Sequence, residues 1–291
     1  MYGYHVCSAV ELQMDIESLY NGVPHVGNNT FAIDKDEDDD SIVDCKWKTE
    51  LINGEECLRY TGIIITTSLR IPAGMNKTFM IDYDTFTDQD EYGTKSIPSP
   101  YSFLERVVMD DSTKLDDGAF TNLPRLKEIV LPDTLDRIPR YVFENCVSLK
   151  KVLIPVGIHS IEERAFSNCA SLQEIIVPEG VTEIKDRAFS ECRMLKKIVL
   201  PSSIKSIGKR AFESCCSLRE IIIPEGVTEI KDRAFSECRM LEKVVLPSTI
   251  KSIRKGAFEN CCSLREIIIP EGLTKIEKGA FANCEKLSML E

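Results

Sequence analysis

Phenylalanine recurs at Phe120, Phe143, Phe166, Phe189, Phe212, Phe235, Phe258 and Phe281, 23 residues apart through seven intervals without an insertion. A fixed period of roughly 20 to 30 residues describes a coil that cannot bury its apolar face alone and must stack on its neighbours. A chain held to that register folds as a solenoid. Its function then has to be sought on a surface that many coils build together.

The other apolar positions keep the same count. Six residues beyond each phenylalanine stands a leucine, from Leu126 to Leu287, and eighteen beyond stands an isoleucine, from Ile138 to Ile276. Aliphatic pairs such as Ile198 with Leu200 fall nine and eleven residues on, and a proline follows at seven positions from Pro132 to Pro270. The unit is LxxIxLPxxLxxIxxxAFxxCxx. Its first part alternates like a short strand, and proline closes that strand because it cannot donate to the next ladder bond. The AFxxCxxL part has helical spacing but is too short for a free helix, which predicts one tight helical or 3₁₀ turn. Phenylalanine, cysteine and leucine are expected to point inward and stack on the next coil, about 4.8 Å along the axis.

In the order LP, aliphatic, isoleucine, AF and C, residues 103–291 resemble the BspA-type leucine-rich repeats. Departures fall in the first coils: Val142 stands before Phe143 in place of alanine, Leu123 in place of the first cysteine, and LERVVMDDSTKLDDGAF lacks the proline. The resemblance implies an α/β solenoid of about eight coils, a right-handed leucine-rich repeat superhelix with a parallel β-sheet and short helical or 3₁₀ turns. It also implies a family of cell-surface adhesins and host-binding proteins, not an enzyme. Residues 1–102 are expected to form a β-rich N-terminal cap. There YTGIIITTSLRIP (60–72) and KTFMIDYDTF (77–86) read as strands, and Asn53-Gly54 is a hairpin signal.

Charge narrows the partners. The net charge is −11, and residues 1–100 hold 18 acidic against 7 basic side chains, while 101–291 hold 29 of each. A neutral solenoid has no basic field for nucleic acid. No apolar run is long enough to cross a bilayer, so membrane insertion is not expected. The start, MYGYHVCSAVELQMDIESLY, has neither a basic head nor an apolar run and is not a secretory signal. A complete chain would be cytoplasmic; a fragment would regain the surface location the family implies.

Of twelve cysteines, Cys146, Cys169, Cys192, Cys215, Cys238, Cys261 and Cys284 share one register. They read as small core hydrophobes, with disulfides between consecutive coils or a soft-metal site as alternatives. CxxC pairs of zinc spacing are absent. The doublets add Cys216 and Cys262 as outward, more reactive thiols.

A second period of 46 residues overlies the first: PEGVTEIKDRAFSECRML occupies both 178–195 and 224–241. Identical coils would place like charges directly opposite one another, which is destabilising. Alternation avoids this, because the column beside the strand runs Glu128, Lys151, Glu174, Lys197, Glu220, Lys243, Glu266. Next to it, Val130, Leu153, Ile176, Val199, Ile222, Val245 and Ile268 are expected to project from the outer face of the sheet. Seven stacked aliphatics flanked by that ladder have the extent of an interaction surface. Two other readings stay open: β-branched residues simply suit a strand, or another part of the chain covers them.

Catalysis has little to stand on. There are three histidines and no GxSxG, HExxH, Walker or dinucleotide signature. His159 lies on a loop where other coils carry Thr182, Lys205 and Thr228. A calcium reading of Asp34, Asp36 and Asp38 fails at Asp39 and Cys45, where an EF-hand needs Gly and Glu. Asn28 and Asn76 sit in glycosylation sequons. No cofactor or metal is expected. The last coil ends at Leu287 to Glu291 without a polar cap, so either the sequence is truncated there or a partner covers the open end, as in an end-to-end homodimer through the C-terminal coil. The function expected is non-enzymatic recognition of a protein or other macromolecule through the strand face. The alternative is a structural or self-assembling repeat protein that uses its exposed stripe and open end.

Overall fold

The computed structural model describes residues 104–109 and 113–287, and the backbone of strands at 30–31, 45–52, 55–60, 68–70 and 78–81. The acidic run 34–40, the sequon asparagines Asn28 and Asn76, the histidines His5 and His25 and the four last residues lie outside it.

The repeat folds as a parallel β-solenoid. In each coil the first residue of the aliphatic pair is the buried centre of a strand such as Glu128–Val130, Glu174–Ile176 or Glu220–Ile222, and the second, as at Leu131, Val177 and Ile223, is buried just past the strand end. Parallel pairing holds the 23-residue register: Glu174 lies opposite Lys197 and Ile176 opposite Val199, and Lys243 lies opposite both Glu220 and Glu266. A second parallel ladder, not anticipated from the sequence, runs through the isoleucine eighteen residues beyond phenylalanine. It is made of two-residue strands, Arg137–Ile138, Ser160–Ile161, Glu183–Ile184 and Ser206–Ile207, then Glu229–Ile230, Ser252–Ile253 and Lys275–Ile276.

The helical-turn expectation needs correction. Among the described residues the AFxxC segment contains no helix; it is a run of overlapping turns. Residues two before and two after each phenylalanine are left-handed, as at Arg187 (φ 57°) and Glu191 (φ 61°) around Phe189. Left-handed residues cannot continue a right-handed helix. They instead turn alternate N–H groups along the stack: Arg187, Phe189 and Glu191 donate to the carbonyls of Lys209, Ala211 and Glu213 in the next coil, at 2.7 to 2.9 Å. The segment that looked helical is therefore a third column of hydrogen bonds between coils.

The core is a set of identical stacks. Phe120 through Phe258 are fully buried. Consecutive rings are stacked with centroids 5.2 to 5.9 Å apart, within the range of favourable offset stacking. Each ladder cysteine is free, and its thiol donates to the phenylalanine carbonyl of the preceding coil, as Cys192 does to Phe166 at 3.2 Å. The same Phe166 carbonyl also accepts the N–H of Cys169 in its own coil at 3.1 Å, so the thiol fills its second lone pair. Asparagines at the left-handed corner form their own ladder, Asn145 donating to Asn122 at 2.8 Å and Asn168 to Asn145 at 3.0 Å.

The 46-residue period has a structural counterpart. Glu179 accepts from the backbone N–H of Ser202 at 3.1 Å, and Glu225 from that of Ser248 at 3.0 Å. These contacts tie the coils in pairs. Between Lys197–Val199 and Glu220–Ile222, and between Ser206–Ile207 and Glu229–Ile230, neither ladder is continuous. The turn column carries on across that junction, with Phe212 donating to Ala234 at 2.8 Å.

Further upstream, Cys45–Ile52 and Glu55–Tyr60 pair antiparallel with Ile52 opposite Glu55, which leaves Asn53-Gly54 as the two-residue connection. Ser68–Arg70 pairs parallel with Arg106–Val108, and Thr78–Ile81 with Thr113–Leu115. The first ladder thus runs on into residues before 102, whereas Thr113–Leu115 belongs to a separate sheet with the upstream strands and is not paired with Arg137–Ile138.

Candidate functional site

The strand pleat sets the outer face of the sheet. With Ile175 or Ile221 turned into the core, the residues on either side must face outward. Val130, Leu153, Ile176, Val199, Ile222 and Ile268 are exposed, from 40% at Val199 to 71% at Leu153, and Val245 is half-buried. No described segment of the chain covers them.

Beside this stripe runs the charged column. Glu128, Lys151, Glu174, Lys197, Glu220 and Glu266 are exposed, and Lys243 is half-buried. Register places opposite charges across the pairs 128/151, 174/197, 220/243 and 243/266. Ion pairs close at Glu174–Lys197, 3.3 Å, and at Arg106–Glu128, 3.6 Å, both in solvent. Among the described residues Lys151, Glu220, Lys243 and Glu266 form no ion pair within the chain. Exposed pairs contribute only about 0 to 1 kcal/mol, so the column contributes pattern more than stability.

A second surface feature escaped the sequence reading. A shallow groove of about 450 Å³ follows the left-handed corner past Arg187, Arg210 and Arg233, with Asp186, Lys209 and Asp232 between them. With Glu163 and Lys255 at its ends, the lining holds five basic side chains against three acidic ones, a small net positive charge broken up by the carboxylates between the arginines. Asp186 is engaged in accepting the Lys209 N–H at 2.8 Å. The signal was present in the arginine two residues before four of the phenylalanines.

Reactive chemistry is scarce. Burial pushes the Cys146 and Cys192 thiols up to about 12 and the half-buried Cys284 to about 11. Thiols held protonated neither attack nor ligate. Cys216 and Cys262 are half-buried, their thiols directed at the carbonyls of Glu237 and Asn260. His159 is exposed. Among the described residues no cluster of three histidine, cysteine or acidic side chains could hold a metal, and no helix is long and apolar enough to cross a membrane.

Two parallel ladders, a turn column and a 23-residue period define a leucine-rich-repeat solenoid. The chain belongs to the family of the BspA-type leucine-rich repeat region, whose model matches residues 101–218 and 182–291 in six copies. The solved structure of a leucine-rich repeat protein from Bacteroides ovatus is similar at 26% identity and TM-score 0.67, over 81% of this chain and 61% of that one. The chain thus spans about three fifths of that protein. A leucine-rich repeat protein of T. pallidum has 24% identity and TM-score 0.51, over 76% of this chain and 88% of that one. One from Eubacterium ventriosum has 20% identity and TM-score 0.55, over 84% and 94%. These last two likenesses are of fold alone. Among curated proteins no sequence matches significantly.

Proposed function

We propose that this chain is a non-enzymatic recognition module that engages a protein through the outer face of its three-residue strands. The observation that carries the reading is the aliphatic stripe, exposed in six of seven successive coils and half-buried at Val245, flanked by the alternating column. Contiguous apolar surface rimmed by charge is what interfaces use, and a rigid stack presents it without paying ordering entropy on binding. The lack of an activated nucleophile or metal cluster among the described residues gives no support to a catalytic role. An adhesin at the cell surface is the setting that the family resemblance implies.

The test is affinity capture from source-cell and host extracts with the intact chain, beside the variant Ile176→Thr/Val199→Thr/Ile222→Thr. Threonine keeps the β-branch that suits a strand, and exposed substitutions cost little stability. A partner held by the intact chain and lost by the folded variant supports the reading. Equal capture by both would refute it.

A further inference from the structure

We infer that the partner fitting the strand face is a second copy of this chain, packed face to face about a two-fold axis parallel to the strands; this rests on the strand face being the interaction surface. Such an axis reverses the order of coils yet keeps each column over its own counterpart, so stripe meets stripe and charged column meets charged column. Because the column alternates at every coil, an axis passing through a coil would oppose Glu to Glu and Lys to Lys. An axis passing between two coils opposes Glu to Lys at every level.

Beyond Ser68–Arg70, of which only the backbone is described, the outer face has eight strands, from Arg106–Val108 to Glu266–Ile268. The axis that uses all eight lies between the coils of Glu174 and Lys197. It places Glu174 over Lys197 of the other copy, Lys151 over Glu220, Glu128 over Lys243, and Arg106 over Glu266. All are complementary. It also sets Ile176 on Val199, Leu153 on Ile222 and Val130 on Val245. Lys151, Glu220, Lys243 and Glu266, which form no ion pair within the chain among the described residues, all gain one. Stripe and column together are of the order of the ~800 Å² per partner that specific dimers bury. Two twisted sheets cross by about 30° when packed, so the outer pairs drift apart, and the pairs beside the axis carry most of the selectivity.

Glu174 and Lys197 therefore decide the test. Glu174→Lys places two lysine pairs across the axis, and Lys197→Glu two glutamate pairs. Each variant alone is expected to dissociate at least about tenfold more readily than the unaltered chain, since like charges opposed in an interface disfavour it. Mixed in equal amounts, the two variants again oppose lysine to glutamate at both pairs beside the axis, each pair formed between chains. Sedimentation velocity at micromolar concentration is expected to show dimer for the unaltered chain, monomer for each variant, and dimer for the mixture. Repulsion inside each variant chain persists in the mixture, so recovery cannot come from folding. A monomeric unaltered chain, single variants that dimerise like it, or a mixture that stays monomeric would overturn the inference. If a foreign protein is captured through the stripe by a chain that sediments as monomer, the recognition reading survives and the self-pairing falls.

Discussion

Replacing Phe189 by alanine removes a fully buried ring from the middle of the aromatic stack. The ring lies 5.2 Å from Phe166 and 5.4 Å from Phe212, within 2° of parallel to both. Phe→Ala in a rigid core costs about 3 to 5 kcal/mol from lost burial and the cavity left behind. The stack has little means of collapsing into that cavity, because three hydrogen-bonded columns hold the coils apart, so the upper end, about 5 kcal/mol, is expected. Phe281 stacks on one side only and is half-buried, so Phe281→Ala should cost about half as much. The assay is urea unfolding followed by circular dichroism, with hydrogen exchange to detect opening confined to a few coils, since long repeat stacks need not unfold in one step. A Phe189→Ala cost no larger than that of Phe281→Ala would refute the argument that stacking from both sides stabilises each coil.

Alkylation followed by mass spectrometry at mild alkaline pH should label Cys216 and Cys262 in the folded protein and leave Cys146, Cys169, Cys192, Cys215 and Cys238 unlabelled until denaturant is added. Fast labelling of Cys192 would contradict its burial. At Gly208 an added Cβ would sit 2.4 Å from the Lys185 carbonyl carbon and 2.5 Å from the Asp186 nitrogen. Gly208→Ala is therefore expected to lose about 2 kcal/mol or more in urea unfolding, and an unchanged midpoint would contradict the close approach. Hydrogen bonds from Ser202 and Ser248 hold the Glu179 and Glu225 carboxyls below their usual range. A carboxyl whose folded value is depressed contributes stability above its unfolded pKa and loses it as pH falls through the folded value. Glu179→Gln/Glu225→Gln should therefore flatten the fall of melting temperature with acid below the ordinary carboxylate range, and a parallel curve would refute the contribution.

How much of this could be read from the sequence varied with the kind of signal. Side chains that fill the stack are apolar and periodic, so phenylalanine, leucine and cysteine registers announced the solenoid and its core directly. The short strand was legible because Ile175 and its counterparts alternate with outward residues. The second ladder was not, because two residues per coil, such as Glu183 and Ile184, give no alternation to read. Its trace was the invariant isoleucine. The helical turn was misread because spacing alone cannot distinguish a helix from successive turns. Gly118, Gly256 and Gly279 before phenylalanine, and Asn122, Asn145 and Asn168 after it, were the clue, since glycine and asparagine tolerate left-handed backbone. Tyr141, Arg164 and Arg187 obscured that clue by occupying the same conformation without the preference for it. Identity of the outward residues was plain from register. The arginine corner was overlooked because it lies on no regular element and forms only when left-handed residues align along the stack.

The central claim is that the outer face of the short strands is the surface this protein uses. Oxidative side-chain footprinting, with the chain free and then bound to the partner it captures, reads that face residue by residue. Protection of Leu153, Ile176, Val199 and Ile222 upon binding, with Arg187 and Arg210 unchanged, is the expected result. Protection centred on the arginine corner, with Ile176 and Ile222 still open to oxidation, would contradict it.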